Sequence, residues 1–250
     1  MIKMKLLNGV ASIIVFVVVW YIFSFLIGNQ LFPSPVTVFE ALVVLFLEGE
    51  IFIHIYSSLF RIAIGFSVAF VLAVILAYSF GFLHFFGNIT MPIIEILRPI
   101  PPIAWIPLSI VWFGLSDFSS AFIIFIAAFF PIFTSLYFGI KSIPRIYHRI
   151  SKNYKLNVSQ KLSHIVVPFS LPYLFNGSKT GIGIAWMALI GAEIISASKG
   201  LGYYIEISRL LLKIDEVIAV MIIIGVIGFL LVSVFSLIEN QLVYWGGKNE

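Results

Sequence analysis

The chain has 250 residues, 61% of them hydrophobic and 10% charged, with a mean hydropathy of +1.13. A soluble domain carries about 25% charged residues, so the composition excludes a water-soluble globule and points to an all-α polytopic membrane protein. Cysteine is absent, which excludes a disulfide framework, a thiolate nucleophile and a cysteine-held metal; the net charge of +4 matters less than its placement.

In chain order, "MIKMK" is followed by 22 uncharged residues, Leu6 to Ile27. That run is too long for a signal-peptide core and no small-residue cleavage site follows. At about 1.5 Å per residue it spans roughly 30 Å, and a retained first spanning helix is expected. Next, "PVTVFEALVVLFLEGE" (Pro35 to Glu50) opens with proline and sets Val38, Ala41, Leu42, Leu45 and Phe46 at helical spacing. It suits either a helix lying in the membrane interface or a surface helix covering the bundle. Charge-poor stretches follow at Ile62–Leu83, Pro99–Ser116, Phe118–Ile140, Thr180–Ala192 and Val217–Ile238, which makes about six spanning helices in all. Between the last two, "YYIEISRLLLKIDEV" (Tyr203 to Val217) interleaves apolar and charged residues as a second interfacial or covering helix would.

Orientation follows from lysine and arginine in short loops. Lys141, Arg145, Arg149, Lys152, Lys155, Lys161 and Lys179 occupy a segment with no acidic residue, whereas Gly28 to Tyr56 holds Glu40, Glu48 and Glu50 and no lysine or arginine. The first segment is expected inside and the second outside. Lys3 and Lys5 put the N-terminus inside, and an even count of spans returns the C-terminus to the same side.

The segment "EILRPIPPIAWIPLSIVWFG" (Glu95 to Gly114) carries four prolines in an uncharged run. Pro99, Pro101 and Pro102 follow Arg98, where a helix start tolerates them; Pro107 is expected to kink the helix. Broken helix at membrane depth survives only where protein or a water-filled cavity supports it, so the bend either lines a solute path or shapes packing. Glu95 and Arg98, three apart, suggest a local ion pair. Glu193, in "WMALIGAEIISAS", has no evident partner and reads either as a pathway or gate residue or as hydrogen-bonded packing near the outer interface. Arg61 is expected to snorkel. Trp105, Trp112, Trp186 and Tyr203 suit interfacial anchors or pathway walls. Gly177, Gly181 and Gly191, with Gly183 and Ala188 between, permit close helix approach, within the chain or to a second copy.

The long basic segment reads "KSIPRIYHRISKNYKLNVSQKLSHIVVPFSLP". Ile150, Tyr154, Val158 and Leu162 recur every four residues, as in one amphipathic helix stopped by Pro168 and Pro172. It is either a topogenic loop or a structured protrusion that docks a partner. His54, His84, His148 and His164 form no metal-binding pair. No G-x-S-x-G and no G-x-x-x-x-G-K-[ST] occurs, so no enzyme, cofactor or metal site is expected and any ATP site belongs to another subunit.

Several stretches resemble one known family: "LFPSPVTVFEAL", "HIYSSLFRIAIGFSVAF", "EILRPIPPIAWIPLSIVWFGLSDFSSAF", "FFPIFTSLYFGIKSIP" and "IVVPFSLPYLFNGSKTGIGIAWMALIGAEIISASKGLGYYI". Together they are similar, over almost the whole chain, to the permease subunits of binding-protein-dependent ABC importers, in the branch handling nitrate, sulfonate, taurine and pyrimidine-like solutes. The resemblance implies a type I importer (MetI-like) permease fold, with an N-terminal helix and external helix over residues 1–56 and a permease core over 57–250. It implies a multi-pass cell-membrane protein with both termini cytoplasmic, a second permease copy or homologue, two ATPase subunits and an external binding protein. The family's EAA-x3-G-x9-I-x-L-P coupling signature falls on Arg149, Ile150 and Ser151, then Lys155, then Ile165, Val167 and Pro168. The chain departs from it at Arg149 and Lys155. A reversal that relies on glycine is strained with lysine if the backbone there is left-handed. Trp105, Pro107, Ser109, Trp186 and Glu193 become the expected translocation-pathway residues. A pore of apolar and aromatic residues with one glutamate argues for an organic solute over an anion. The competing class, a secondary transporter or channel, would show paired broken helices, and only one broken segment is evident.

Overall fold

Uncharged runs long enough to cross a bilayer must close every backbone hydrogen bond internally, and helices do this. The computed structural model describes residues 2–28, 32–82 and 84–243, and among them every regular element is helical. Leu31, Leu83 and residues 244–250 lie outside the described residues, as do the side chains of Lys3, Lys5 and His84.

Helix α1 (Ile2–Ile27) takes up the first uncharged run. α2 (Pro35–Glu48) starts as its sequence asks: Ser34 caps the Thr37 amide at 3.3 Å, proline fills the first turn, and Gly49 ends it at φ +82°. Val38, Ala41 and Leu45 are buried against α3 (Glu50–Phe82) and α11 (Ile214–Leu242), so α2 covers the bundle. The boundary drawn at 56/57 falls inside α3. The core element is α6 (Asp117–Lys141), packed on α3 and on α9 (Val167–Ser196), with Ile123, Ile124, Ala128, Ile132, Phe133 and Leu136 fully enclosed. α3, α6, α11 and a continuous helical run over Val158–Ser196 are long and apolar enough to cross a membrane. Outward faces of α1, α3 and α11 are exposed valine, isoleucine, leucine and phenylalanine, the surface a lipid environment covers.

The proline-rich segment departs from expectation. α4 (His84–Leu97) ends just before Arg98, a 3₁₀ turn runs Pro102–Trp105, and α5 (Ile106–Phe113) has eight residues. Residues 89–97 and 102–113 are bent by 92° to one another. Eight residues reach about 12 Å, so Pro99–Ser116 is half of a broken span rather than a spanning helix. Pro107 lies in the first turn of α5, where its missing N–H costs nothing; the break falls at Arg98–Pro101 instead.

The basic segment also differs from one helix. α7 (Arg145–Asn153) stops, Lys155 turns the chain at φ +51°, and α8 (Val158–Lys161) restarts under a capping box of Asn157 and Gln160. Pro168 and Pro172 do not end it. A π turn over Leu162–Val166 leads directly into α9, with Pro168 in the first turn of α9 and Pro172 inside it. The wider π turn relieves the clash between the Pro168 ring and the preceding carbonyl. Between α9 and α11, α10 (Leu201–Leu210) is shorter than its apolar pattern. The chain turns at Leu212 (φ +59°), and α11 then begins with Asp215 and Glu216 in its first turn, where acids complement the helix dipole.

Candidate functional site

α6 and α9 can approach closely because glycine faces the contact. A Cβ on Gly177 would lie 2.8 Å from the Ser135 Cβ and 2.9 Å from the Pro131 carbonyl oxygen, and one on Gly181 would lie 3.1 Å from the Ala128 carbonyl oxygen. The glycines are therefore used within the chain. Beside this contact the turn of the broken span leaves a cavity of about 470 Å³. Arg98, Pro99, Pro101 and Pro102 form one wall; α6 from Ile126 to Phe138 and α9 from Asn176 to Ile184 form the others. On α6 the cavity runs from mid-helix toward the Lys141 end.

Its polar groups are Arg98, Thr134, Ser135, Asn176 and Thr180, and Arg98 is the one ionisable residue among those that line it. The three hydroxyls spend their protons on helix carbonyls: Thr134 on Phe130 at 2.7 Å, Ser135 on Tyr173 at 2.7 Å and Thr180 on Asn176 at 3.0 Å. Neither Arg98 nor Glu95 takes part in an ion pair among the described residues. The expected Glu95–Arg98 pair is thus absent, although both are exposed.

Glu193 sits elsewhere. It is fully buried, and Ser58 Oγ donates to both its oxygens at 2.8 and 2.9 Å, Arg61 Nη1 to Oε1 at 2.8 Å and the Gly202 amide to Oε2 at 3.0 Å. Arg61 does not snorkel. It is 6% exposed, and it also donates to Asp117 Oδ1 at 2.7 Å and to the Lys199 carbonyl at 2.6 Å. This knot ties α3, the start of α6, α9 and the loop before α10. A charge so buried persists because it is paired and saturated with donors.

Of the other expected pathway residues, Ser109, Trp186 and Trp105 hold packing positions, and Pro107 is exposed. Ser109 is buried and bonds the Ile106 carbonyl and Ser119 Oγ, both at 2.7 Å. Trp186 donates to the Ile224 carbonyl of α11 at 3.0 Å and is 4% exposed. Trp105 packs edge-on against Phe122, and its buried Nε1 has no hydrogen-bond partner among the described residues. Trp105, Pro107, Ser109, Trp186 and Glu193 do not line the cavity. Pro99, Pro101 and Pro102 of the expected bend do line it; Arg98, Asn176 and Thr180 carry no local mark of that role, since Arg98 stands three residues from Glu95 and the other two flank Lys179 at the end of the basic segment. Their spacing of four, one helical face, was the available signal.

On the basic segment, Arg149, Lys152 and Lys155 are exposed beside exposed Ile146, Tyr147, Ile150, Tyr154 and Val158. Ser151 is buried and bonds the His148 carbonyl at 2.9 Å. Ile165 and Pro168 are half-buried. Among the described residues no group of His, Cys, Asp and Glu could hold a metal ion.

Residues 69–243 match the family described as binding-protein-dependent transport system inner membrane component. The chain is 34% identical over 248 residues to the nitrate import permease protein NrtB of Synechocystis sp., covering 96% of this chain and 90% of that one. It is 36% identical over 235 residues to a putative ABC transporter permease protein of Methanocaldococcus jannaschii, covering 92% and 88%. It is 29% identical over 247 residues to the taurine transport system permease protein TauC of Escherichia coli, covering 96% and 90%. A bundle of apolar helices packed on α6, with a broken span beside it and a basic segment continuous with α9, fits a protein of this kind: the chain is a member of the binding-protein-dependent ABC importer permease family, in the nitrate, taurine and sulfonate branch.

Proposed function

We propose that the chain forms the solute path of an ATP-driven importer for a small anion or organic solute such as nitrate, a sulfonate or taurine. Two ATPase subunits dock on residues 141–172 of this chain and of a second copy or homologue, and an external binding protein delivers solute to the opposite face. Both termini and the basic segment face the cytoplasm, in keeping with the lysine and arginine bias. The cavity beside Arg98 is the inner part of the path. Trp105, Pro107 and Ser109 on the far arm of the broken span, and Trp186 and Glu193 on α9, hold its outer walls in place.

The observation that carries this reading is the surface of α7 and α8. Ile146, Tyr147, Ile150, Tyr154 and Val158 are exposed apolar residues rimmed by Arg145, Arg149, Lys152 and Lys155. An apolar centre with a charged rim is the make-up of a protein interface. The turn at Lys155 keeps a left-handed backbone, so the dock retains its helix–turn–helix form without glycine. Arg149, Ile150, Ser151, Lys155, Ile165 and Pro168 are its coupling residues.

The chain lacks cysteine, which makes crosslinking clean. With Asn153→Cys and the companion ATPase co-expressed in membranes, a crosslink whose yield changes with ATP is expected, and none with Phe32→Cys on the opposite side. A correctly inserted chain that gives no crosslink at 153 or its neighbours removes the ATPase from this surface.

A further inference from the structure

We infer that Arg98 and Asn176 form an oxyanion subsite in the cavity, and that Arg98 makes the path selective for negatively charged solutes. Thr134, Ser135 and Thr180 already donate to helix carbonyls. The Arg98 guanidinium and the Asn176 amide have no protein acceptor among the described residues, and both line the same cavity. A wall whose free polar hydrogens are N–H groups stabilises a group that accepts, and a planar guanidinium fits two oxygens of one anion at once. No carboxylate shares that wall, so nothing there offsets a cation's repulsion from Arg98. The placement sharpens the effect. Arg98 stands, solvent-exposed, at the 92° break between residues 89–97 and 102–113, across the cavity from α6 residues 126–138, and a cleft lined by one sign of charge concentrates that charge's field. This overturns the expectation of a pore whose charge is one glutamate: Glu193 is saturated in packing and the cavity's charge is positive. The solute class is a small monovalent oxyanion, a nitrate, sulfonate or carboxylate. The inference rests on the pathway reading above for the solute's passage, but the subsite is testable without transport.

The test uses the transporter assembled with its ATPase in nanodiscs, where both faces are open to reagent. Thr180→Cys places a single thiol on the cavity wall. Its modification rates by the anionic 2-sulfonatoethyl and cationic 2-trimethylammonioethyl methanethiosulfonates are compared as a ratio. With Arg98 present the ratio is expected to favour the anion by about tenfold over the Arg98→Gln background, the low end of focusing in a charged cleft. Arg98→Lys should keep most of that preference and lose protection by nitrate, because it offers no planar fork. Nitrate or methanesulfonate, but not choline, should slow the reaction in the Arg98 chain. A ratio unchanged by Arg98→Gln, in a variant with an unaltered unfolding midpoint, overturns the inference. Protection that appears with phosphatidylglycerol and not with nitrate also overturns it, making Arg98 an anchor for lipid phosphate. The ATP-dependent crosslink at position 153 is read on the same particles: its loss with the charge ratio intact refutes the importer reading alone.

Discussion

Lys155 stands at φ +51°, in the left-handed region where a Cβ crowds the following carbonyl and costs about 1 kcal/mol. Lys155→Gly should therefore raise stability by about that amount, read as a higher unfolding midpoint in detergent, and Lys155→Val should lower it. Glu193 is the opposite case, a residue at which any truncation does harm. Glu193→Ala takes the acceptor from Ser58, the Gly202 amide and Arg61 Nη1, while Arg61 keeps Asp117 and the Lys199 carbonyl, a loss of about 1–3 kcal/mol; the same thermal assay should show a lower unfolding midpoint. Outside the spans, burial first and the Glu216 carboxylate second push the Tyr204 phenol up to about 12. An unfolded chain ionises tyrosine near pH 10, so between about pH 10 and 12 the folded state alone keeps this proton. Stability should fall across that window, and Tyr204→Phe should flatten the fall in a pH series of unfolding midpoints. Glu193's partners could not be read from sequence, because Ser58 and Arg61 lie more than 130 positions away and no local spacing signals them.

Helices α6 and α9 are held by a contact that admits no Cβ. Gly177→Ala drives a methyl group toward the Pro131 carbonyl oxygen and the Ile132 Cα, 2.9 and 3.0 Å away, and backbone cannot step aside as a side-chain end can. A loss of about 1–3 kcal/mol is expected. Gly225→Ala, where a Cβ meets nothing within 4 Å, should leave the midpoint unchanged or raise it, since alanine favours a helix by about 1 kcal/mol. That contrast, measured on paired variants, checks the packing directly. At this scale the sequence was informative where one rule acted alone. The α2 start at Pro35 and its apolar stripe follow from local spacing. The rest needed tertiary knowledge. The four-residue stripe from Ile150 to Leu162 continues through a left-handed turn that periodicity does not register. Pro168 reads as a stop, yet a π turn carries the helix through it. Pro107 reads as a kink, but its position in a helix's first turn depends on where the preceding break falls.

For the whole molecule, composition alone placed the chain in a membrane, and the order of apolar runs anticipated its main helices. The cavity was illegible for a geometric reason: its walls come from Arg98, α6 and α9, three stretches brought together by a 92° bend. One feature of the assembly reaches across both ends. The helical run from Val158 to Ser196 is 39 residues, continuous through the π turn and Pro172, about 58 Å long. One tip carries the basic segment and the other carries Glu193, clamped to α3 through Ser58 and Arg61. Such a rod is a lever with its fulcrum at the glycine contact on α6. A tilt of about 10° there would swing the basic end by roughly 5 Å and Glu193 by roughly 4 Å. The glycine contact lies about 31 Å from the Val158 end and about 21 Å from Glu193, so the same tilt moves the basic end further than the Arg61–Glu193 clamp, and in the opposite direction.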